Sequence, residues 1–422
     1  MPLLYRILLS LYETGILVAS RWNPKAGQWV QGRKNWEQRL IAATESAGKQ
    51  RIWMHCASLG EFEQGRPVLE TLRKNYPHAF IVLSFFSPSG YEIRKNYPGA
   101  DYICYLPMDN PTKSKSFVQI LQPGIALFVK YEFWHYYLKS LKESGAKTLL
   151  ISAIFRPGQA FFKPWGGFWR QMLQTYEHIF VQDESSLHLL EAQGLHGHCS
   201  VAGDTRFDRV LDIASAATPL RETDFFCAHH QVIVAGSTWP EDEEILAHYA
   251  RVKPGIRFVI APHEIHDSHI RDIQKLFPDS ILFSQLRQGL ETGTLPPKMP
   301  HVLIINNMGM LSRLYRYAQI TYVGGGFGGA GIHNILEAAV YAKPVLFGPV
   351  HYKSREARQL LEYGGAFTFE NALEAEKVIE ELLENPEKLA LAGNKAGNYV
   401  RSEAGATEKI LAYIQENRLL IS

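Results

Sequence analysis

Cysteine is scarce and scattered. The four residues Cys56, Cys104, Cys199 and Cys227 in a chain of 422 show no C-x-x-C spacing, which argues against a zinc site or a disulfide framework and fits a reducing compartment. Net charge is nearly absent: 44 Lys and Arg against 42 Asp and Glu leave +2, too little for nucleic acid to be the main partner. No low-complexity tract or short internal repeat occurs. A long uncharged apolar run is also missing. The most apolar stretch, MPLLYRILLSLYETGILVA, carries Arg6 and Glu13, whereas a spanning helix needs ~20 mostly apolar residues and tolerates charge poorly. That stretch has neither the basic start nor the small-residue cleavage site of a signal peptide.

What is present describes a globular protein with a large core: 46% hydrophobic and 20% charged residues, in a length that suggests two or three domains. Residues 1–50 form a segment of their own. Arg21, Lys25, Arg33, Lys34 and Arg39 follow the apolar stretch among Trp22, Trp29 and Trp36. The pattern reads as a helix lying on or dipping into a membrane surface, with cationic and aromatic anchors at the headgroups. A helix packed against the protein's own core is the alternative.

From residue 51 apolar runs alternate with longer periodic segments, and the alternation implies a parallel sheet covered on both faces. The first set of strands runs from Arg51–Cys56 to Ser200–Ala202, with helices such as Glu63–Asn75 and Trp134–Glu143 between them. The pattern breaks after Gly203 and resumes from Gln231–Ala235 to Ala366–Phe369. The chain therefore reads as α/β: a Rossmann-like domain over 51–205, a linker over 206–230 with small residues at Ala214–Thr218, a second Rossmann-like domain over 231–402, and a helix over 403–422 expected to cross back to the first. The two doubly wound domains are expected to face a central cleft. Loops at strand carboxyl ends are the expected ligand-binding elements: Ser58–Glu61, Ser87–Gly90, Leu106–Asp109 and Lys130–Trp134 in the first, Gly236–Thr238, Pro262-His263 and Met308–Met310 in the second.

Within the second domain, Tyr322–Pro349 reads as strand, glycine loop, helix, strand. Glycines permit close backbone approach to a ligand, and a helix start at Asn334 would suit a phosphate. Gly324, Gly326 and Gly329 satisfy G-x-G-x-x-G, but the acid expected about 20 residues on is missing: the next strand ends Phe347-Gly348-Pro349, which disfavours a nicotinamide-dependent oxidoreductase. Glu337, three residues after Asn334, would either reach a nucleotide sugar hydroxyl or close a capping box with Asn334.

The motifs HCASLGE (His55–Glu61), SPSGYE (Ser87–Glu92), LPMD (Leu106–Asp109), EFW (Glu132–Trp134), GDTRFD (Gly203–Asp208), GST (Gly236–Thr238), HNILEA (His333–Ala338) and PVLFGP (Pro344–Pro349) resemble the 3-deoxy-D-manno-octulosonate (Kdo) transferases of lipopolysaccharide synthesis, over nearly the whole chain. The resemblance implies the GT-B architecture and inverting transfer of Kdo from CMP-Kdo to the tetraacyl disaccharide lipid A precursor, at the cytoplasmic face of the inner membrane. No metal or other cofactor is expected, because the helix start at Asn334, the loop amides of Gly236–Thr238 and Arg206 can meet the charge on CMP and no D-x-D-type carboxylate pair is positioned to hold a divalent ion. The resemblance implies that Glu61 is the general base. The CMP-binding segments would be Pro262 and His263, Met308, Gly309 and Met310, and Asn334, Ile335, Leu336 and Glu337, with Ser237 and Thr238 beside them. Ser87, Ser89, Gly90 and Glu132 would lie on the acceptor side.

Departures from the family pattern mark a divergent branch. Arg206 stands where the family has a Lys assigned to transition-state stabilisation, which keeps the charge and changes its hydrogen-bond geometry. Lys130 stands where the family usually has Glu, so the stabilising role of that acid does not carry over directly, although Glu132 remains. Pro262 replaces an Arg, Trp239 a His and Ile154 an Arg. The other readings are a GT-B enzyme using a UDP-sugar donor and a non-catalytic sugar-nucleotide binding module. Ser58-x-x-Glu61 is also a capping-box sequence, but Gly60 in the first helical turn costs about 1 kcal/mol against Ala and leaves room for a substrate beside the carboxylate.

Overall fold

The computed structural model describes residues 2–420 apart from Ser46, Lys49 and Ala330. Ala330 of the glycine loop, and Ile421 and Ser422 at the end of the expected carboxyl-terminal helix, thus lie outside the described residues. The apolar runs form strands in two seven-stranded sheets. One holds β1 (Arg51–Cys56), β2 (Phe80–Phe85), β3 (Tyr102–Tyr105), β4 (Ile125–Val129), β5 (Lys147–Ala153), β6 (His178–Val181) and β7 (Cys199–Val201). The other holds β8 (Val232–Thr238), β9 (Arg257–Pro262), β10 (Ser280–Leu282), β11 (Val302–Ile304), β12 (Ile320–Val323), β13 (Val345–Phe347) and β14 (Ala366–Thr368). The strands read as continuous apolar runs because helices cover both faces of a parallel sheet; all five residues of β4, Ile-Ala-Leu-Phe-Val, are buried.

The strand orders are β3-β2-β1-β4-β5-β6-β7 and β10-β11-β9-β8-β12-β13-β14. Register is tight at the centre of the first sheet, where Trp53 lies between Val82 and Ala126. In each sheet the winding reverses once, between β1 and β4 and between β8 and β12. Open α/β sheets bind ligands beyond the strand carboxyl ends at such a reversal.

The chain divides into one unit of Met1–Arg209 with Ala404–Ser422 and a second of Val210–Glu403. The linker expected over 206–230 is therefore structured. Helices Thr205–Ala216 and Arg221–Cys227 occupy it, and Arg313 and Arg316 tie its middle to the second unit by donating to the carbonyls of Thr218 (3.0 Å) and Ala217 (2.9 Å). Ala-Ser-Ala composition resembles a linker, yet alanine is also the best helix former, and here it continues the helix. Helix Ala406–Glu416 belongs to the first unit. Its Ala406, Ile410 and Ile414 enter the same core as Ile52, Phe62 and Leu127, and the Asp208 carboxylate accepts from the backbone N–H of Gly405 (2.6 Å) and Thr407 (2.7 Å).

Residues 1–50, expected as a separate segment, also pack on the first unit. Helix Pro2–Ala19 buries none of its side chains completely, but Tyr5, Leu9, Glu13 and Ile16, spaced three and four apart, are partly covered. Tyr5 donates to Asp109 at 2.8 Å and Glu13 pairs with Lys113 at 2.7 Å, while Leu3, Leu4, Ile7, Leu8, Leu11, Leu17 and Val18 stay exposed. The set of headgroup anchors is smaller than the sequence suggests. Trp29 is buried, and the Arg33 guanidinium lies 3.7 Å over its ring and donates to the carbonyls of Leu106 (2.8 Å), Trp29 (3.0 Å) and Phe86 (2.7 Å). Burial lowers the Arg33 pKa to about 9. Trp36 packs on Phe117. Arg21, Trp22 and Lys25 remain exposed.

Candidate active site

In the first unit the helix Leu59–Asn75 starts directly after β1, with Ser58 as its N-cap. Glu61 accepts from Ser58 N at 2.7 Å and Ser58 Oγ at 2.5 Å, both through Oε2. The cap expected as the bland reading is thus formed, but with one carboxylate oxygen: among the described residues nothing hydrogen-bonds Oε1. A Cβ built on Gly60 would meet only Ser58 Oγ, at 3.9 Å, so the space beside Gly60 is open. Tyr131 sits close to it. Burial raises the Tyr131 pKa, with the Arg156 charge opposing and those of Glu61 and Asp183 adding.

One turn beyond Glu61, Gln64 donates to Asp204 at 3.4 Å, and Asp204 in turn takes Arg206 Nε (2.9 Å) and Nη2 (2.6 Å) as well as Arg206 N (3.0 Å). Asp204 is 6% exposed. Burial alone would raise its pKa; the Arg206 charge and hydrogen bonds, with Lys130 adding, outweigh that and hold it below the ordinary value. Of the two cations singled out by sequence, Arg206 pairs with this buried carboxylate and the Lys130 charge acts on it. Lys130 (φ 73°) and Ser152 (φ 52°) hold left-handed conformations at the ends of β4 and β5, strain that other contacts must fix in place.

The acceptor-side residues are placed differently from expectation. Glu132 is 4% exposed and turned inward: His55 Nε2 lies 2.9 Å from Oε2, to which Trp134 Nε1 also donates. Its own carbonyl accepts from the Tyr176 hydroxyl. A carboxylate pinned in this way holds the loop after β4. Gly90 is buried, and a Cβ there would stand 2.2 Å from the Phe85 ring. Ser87 and Ser89 sit at the surface with hydroxyls 2.7 Å apart. Asp109 in the loop after β3 is buried and accepts from Tyr5, Ser114 and the backbone N–H of Tyr136 and Tyr137.

In the second unit Ser237 (φ 54°) and Thr238 end β8. Thr238 is fully buried, and its hydroxyl donates inward to Glu243 (2.9 Å), which also pairs with His269 (3.1 Å). Asp242, 1% exposed, accepts from Trp239 N (2.9 Å), Gly325 N (2.9 Å) and the Tyr322 hydroxyl (2.6 Å). Burial raises its pKa against those hydrogen bonds. Trp239, His263 and His333 form a stack: Trp239 and His263 rings lie 4.7 Å apart, His263 and His333 4.4 Å. Pro262 is buried in β9. Met308 is 72% exposed, Gly309 has φ 86°, and Met310 is 7% exposed with Asn307 Nδ2 2.8 Å from its sulfur.

The glycine loop and the helix after it depart from the sequence reading. A Cβ on Gly324 would stand 2.3 Å from Ser237 O, and one on Gly326 2.5 Å from Gly348 N; these glycines let strand-end loops approach one another, while Gly329 faces open space. Only Leu336–Ala339 is helical. Asn334 Oδ1 accepts from Leu336 N at 3.2 Å, two residues on, which is an Asx turn rather than an N-cap, and Ala342 (φ 54°) before Pro344 ends the segment. One turn of helix is no phosphate site by dipole. Ile335 and Leu336 are buried, so only backbone can reach a ligand there, and Glu337 is half-buried and held by Asn334 Nδ2 at 3.2 Å.

Sequence reasoning gave no role to Gln64, Arg156 or Asp242, and gave Tyr131, Asp204 and His333 none beyond their place in a loop or motif. The signals were present for two of them: Asp204 precedes Arg206 by two residues, and Asp242 stands three after Trp239, the capping-box spacing. Among the described residues no group of three His, Cys, Asp or Glu is arranged to hold a metal ion.

Residues 34–209 match the family described as 3-Deoxy-D-manno-octulosonic-acid transferase (kdotransferase). A 3-deoxy-D-manno-octulosonic acid transferase of Aquifex aeolicus is 26% identical over 347 residues, covering 79% of this chain and 86% of that protein. Residues 34–209 thus carry the Kdo transferase family's domain, and the chain resembles Kdo transferases over most of its length. A bifunctional glycosyltransferase/methyltransferase of Fusobacterium nucleatum is 26% identical over 381 residues, covering 87% of this chain, which spans only 55% of that longer protein. Among solved structures, UDP-GlcNAc 2-epimerase of Neisseria meningitidis bound to UDP-GlcNAc is similar in fold at a TM-score of 0.60 and 17% identity, covering 87% of this chain and 100% of that one. The domain match and these relatives indicate a glycosyltransferase, and the two doubly wound units have the GT-B type of fold.

Proposed function

We propose that the protein moves Kdo from CMP-Kdo to a tetraacyl disaccharide lipid A precursor with inversion at the anomeric carbon. The observation that carries this reading, beside the resemblance to Kdo transferases, is Glu61: its Oε2 is occupied by the helix cap and its Oε1 is open, at the winding reversal of the first unit. A sugar hydroxyl is a poor nucleophile until its proton is taken. In this mechanism Glu61 Oε1 accepts that proton as the hydroxyl oxygen bonds to the anomeric carbon, and the bond from that carbon to the CMP phosphate oxygen breaks, with its electron pair leaving on CMP. Arg206, oriented by Asp204, meets the charge developing on the phosphate. The second unit binds CMP through the Met308–Met310 loop, His263, Ser237 and the backbone around 335–337. Ser87 and Ser89 remain available to the acceptor.

Charge on the leaving group is met by cations and backbone amides, so turnover is expected to be unchanged by EDTA; an absolute need for added metal contradicts this. The exposed apolar face of Pro2–Ala19 supports a position at a bilayer surface, which this reading takes to be the cytoplasmic face of the inner membrane. The helix is long and apolar enough to span, but its ties at Tyr5 and Glu13 favour lying along the surface. Leu4→Glu with Leu8→Glu should release the protein from vesicles without lowering its melting temperature, because both side chains are exposed.

Mass spectrometry of the product from CMP-Kdo and the tetraacyl acceptor tests the function. Acceptor mass increased by Kdo is expected. Transfer from a UDP-sugar with none from CMP-Kdo, or stabilisation by UDP and not CMP, would assign the chain to a different donor class.

A further inference from the structure

Trp239 Nε1 lies 3.0 Å from His333 Nε2. An indole nitrogen only donates, so the imidazole nitrogen facing it has to be the unprotonated acceptor, and a neutral ring with one acceptor carries its proton on the other nitrogen. Among the described residues nothing hydrogen-bonds Nδ1. The ring cannot turn easily. Its face is stacked on His263 at 4.4 Å and its backbone N–H is fixed to Gly324 O at 3.1 Å. Trp239 is itself held, its own N–H taken by the buried Asp242 at 2.9 Å.

We infer that Trp239 is a positioning residue that locks His333 as the Nδ1–H tautomer, presenting an uncharged hydrogen-bond donor to an anionic group, phosphate or carboxylate, of the sugar nucleotide. The use of the donor rests on the function proposed above; the tautomer does not. The charged and titratable groups around the ring agree with a neutral state: burial lowers the His333 pKa and neighbouring His263 lowers it further, while the Asp242 carboxylate is spent on Trp239, Gly325 and Tyr322. A neutral donor discriminates less by charge than an imidazolium and gains by geometry, which suits a ligand carrying both phosphate and carboxylate.

Long-range ¹H–¹⁵N correlation spectra of the full chain labelled with ¹⁵N-histidine test this. At pH 7 the wild type should show His333 with a protonated Nδ1 and an unprotonated Nε2, and Trp239→Phe, which keeps an aromatic ring and removes the N–H, should lose that signature and titrate at higher pH. An Nε2–H or doubly protonated His333 in the wild type overturns the inference, as does a Trp239→Phe variant with unchanged signature. The wild-type spectrum decides the tautomer even where the variant misfolds. CMP-Kdo or CMP should then shift the Nδ1–H resonance, and Trp239→Phe should weaken binding about 2- to 10-fold, the range of one hydrogen bond. A locked tautomer that neither ligand shifts keeps the positioning role and removes its use in donor recognition. Failure of the function with the tautomer intact is read separately, from the product mass.

Discussion

Each unit places an acid at the third position of the helix that follows its first strand, and the two acids have opposite fates. Glu61 accepts the N–H of Ser58 and Asp242 the N–H of Trp239, so local sequence gives both the same capping role. Asp242 is buried and its oxygens are filled by three donors from different parts of the second unit. Glu61 is half-buried and spends one oxygen on its own helix start. A capping position therefore does not decide function; what decides it is how much acceptor capacity the rest of the fold leaves over. The wider surroundings follow suit. Charged side chains gather at the first unit's winding reversal, where a proton and a leaving-group charge are to be handled. The second unit offers stacked rings and loop backbone, which recognise rather than react.

The comparison breaks if charge at the first unit's strand ends proves dispensable. Arg206→Gln combined with Asp204→Asn removes the charge without stranding a buried carboxylate, and should slow Kdo transfer about 10²- to 10³-fold, the usual cost of losing a group that stabilises developing charge. Steady-state turnover at saturating donor checks this, with CMP binding little altered.

Asp242→Ala should act on stability instead. Three donors lose their acceptor, and with about 1–3 kcal/mol for each buried group left unsatisfied the second unit should lose about 3 kcal/mol or more. A urea titration that instead shows near-normal stability would mean that Asp242 is not the tie the contacts describe.

Acid titration sharpens the contrast between the two buried aspartates through opposite signs. The Asp204 pKa is lowered below its ordinary 3.8, so its contribution is fully present above that value and is lost as pH falls through the folded-state value. The Asp242 pKa is raised above 3.8, so ionising it costs stability as pH rises from 3.8 through the folded-state value. Asp204→Asn should flatten the acid-side loss of unfolding free energy, and Asp242→Asn should remove a loss on the rising side. Equal slopes for both variants would contradict the assigned environments.

Much of the fold was legible because parallel strands buried on both faces announce themselves as apolar runs. β1 has the bounds read from sequence, and the strands read at Ser200–Ala202 and Ala366–Phe369 lie within one residue of them, at Cys199–Val201 and Ala366–Thr368. Misreadings arose where local composition was ambiguous. Ala214–Ala216 continues a helix, and Asn334 makes a two-residue turn instead of a cap. Motifs located the strand ends of the candidate site but not the direction of side chains. Thr238 and Glu132 stand in the expected loops and point inward, because partners distant in sequence or on the next helix, His55 from β1 and Glu243, claim their polar atoms. Asp204 was hidden for the same reason. Its importance lies in the hydrogen bond from Gln64 and the charge of Lys130, both remote in sequence and brought near it only by the fold.

The most direct test of the account is single-turnover transfer from CMP-Kdo by Glu61→Gln, measured beside its melting temperature. Glutamine keeps the cap, since its amide oxygen accepts from Ser58 N, but it cannot take a proton. A positioned base contributes a factor of about 10² to 10⁴, so the variant should bind CMP and melt as wild type does and transfer Kdo at least about 100-fold more slowly. Near-normal transfer would contradict the account, leaving Glu61 a cap like Asp242 and the base elsewhere.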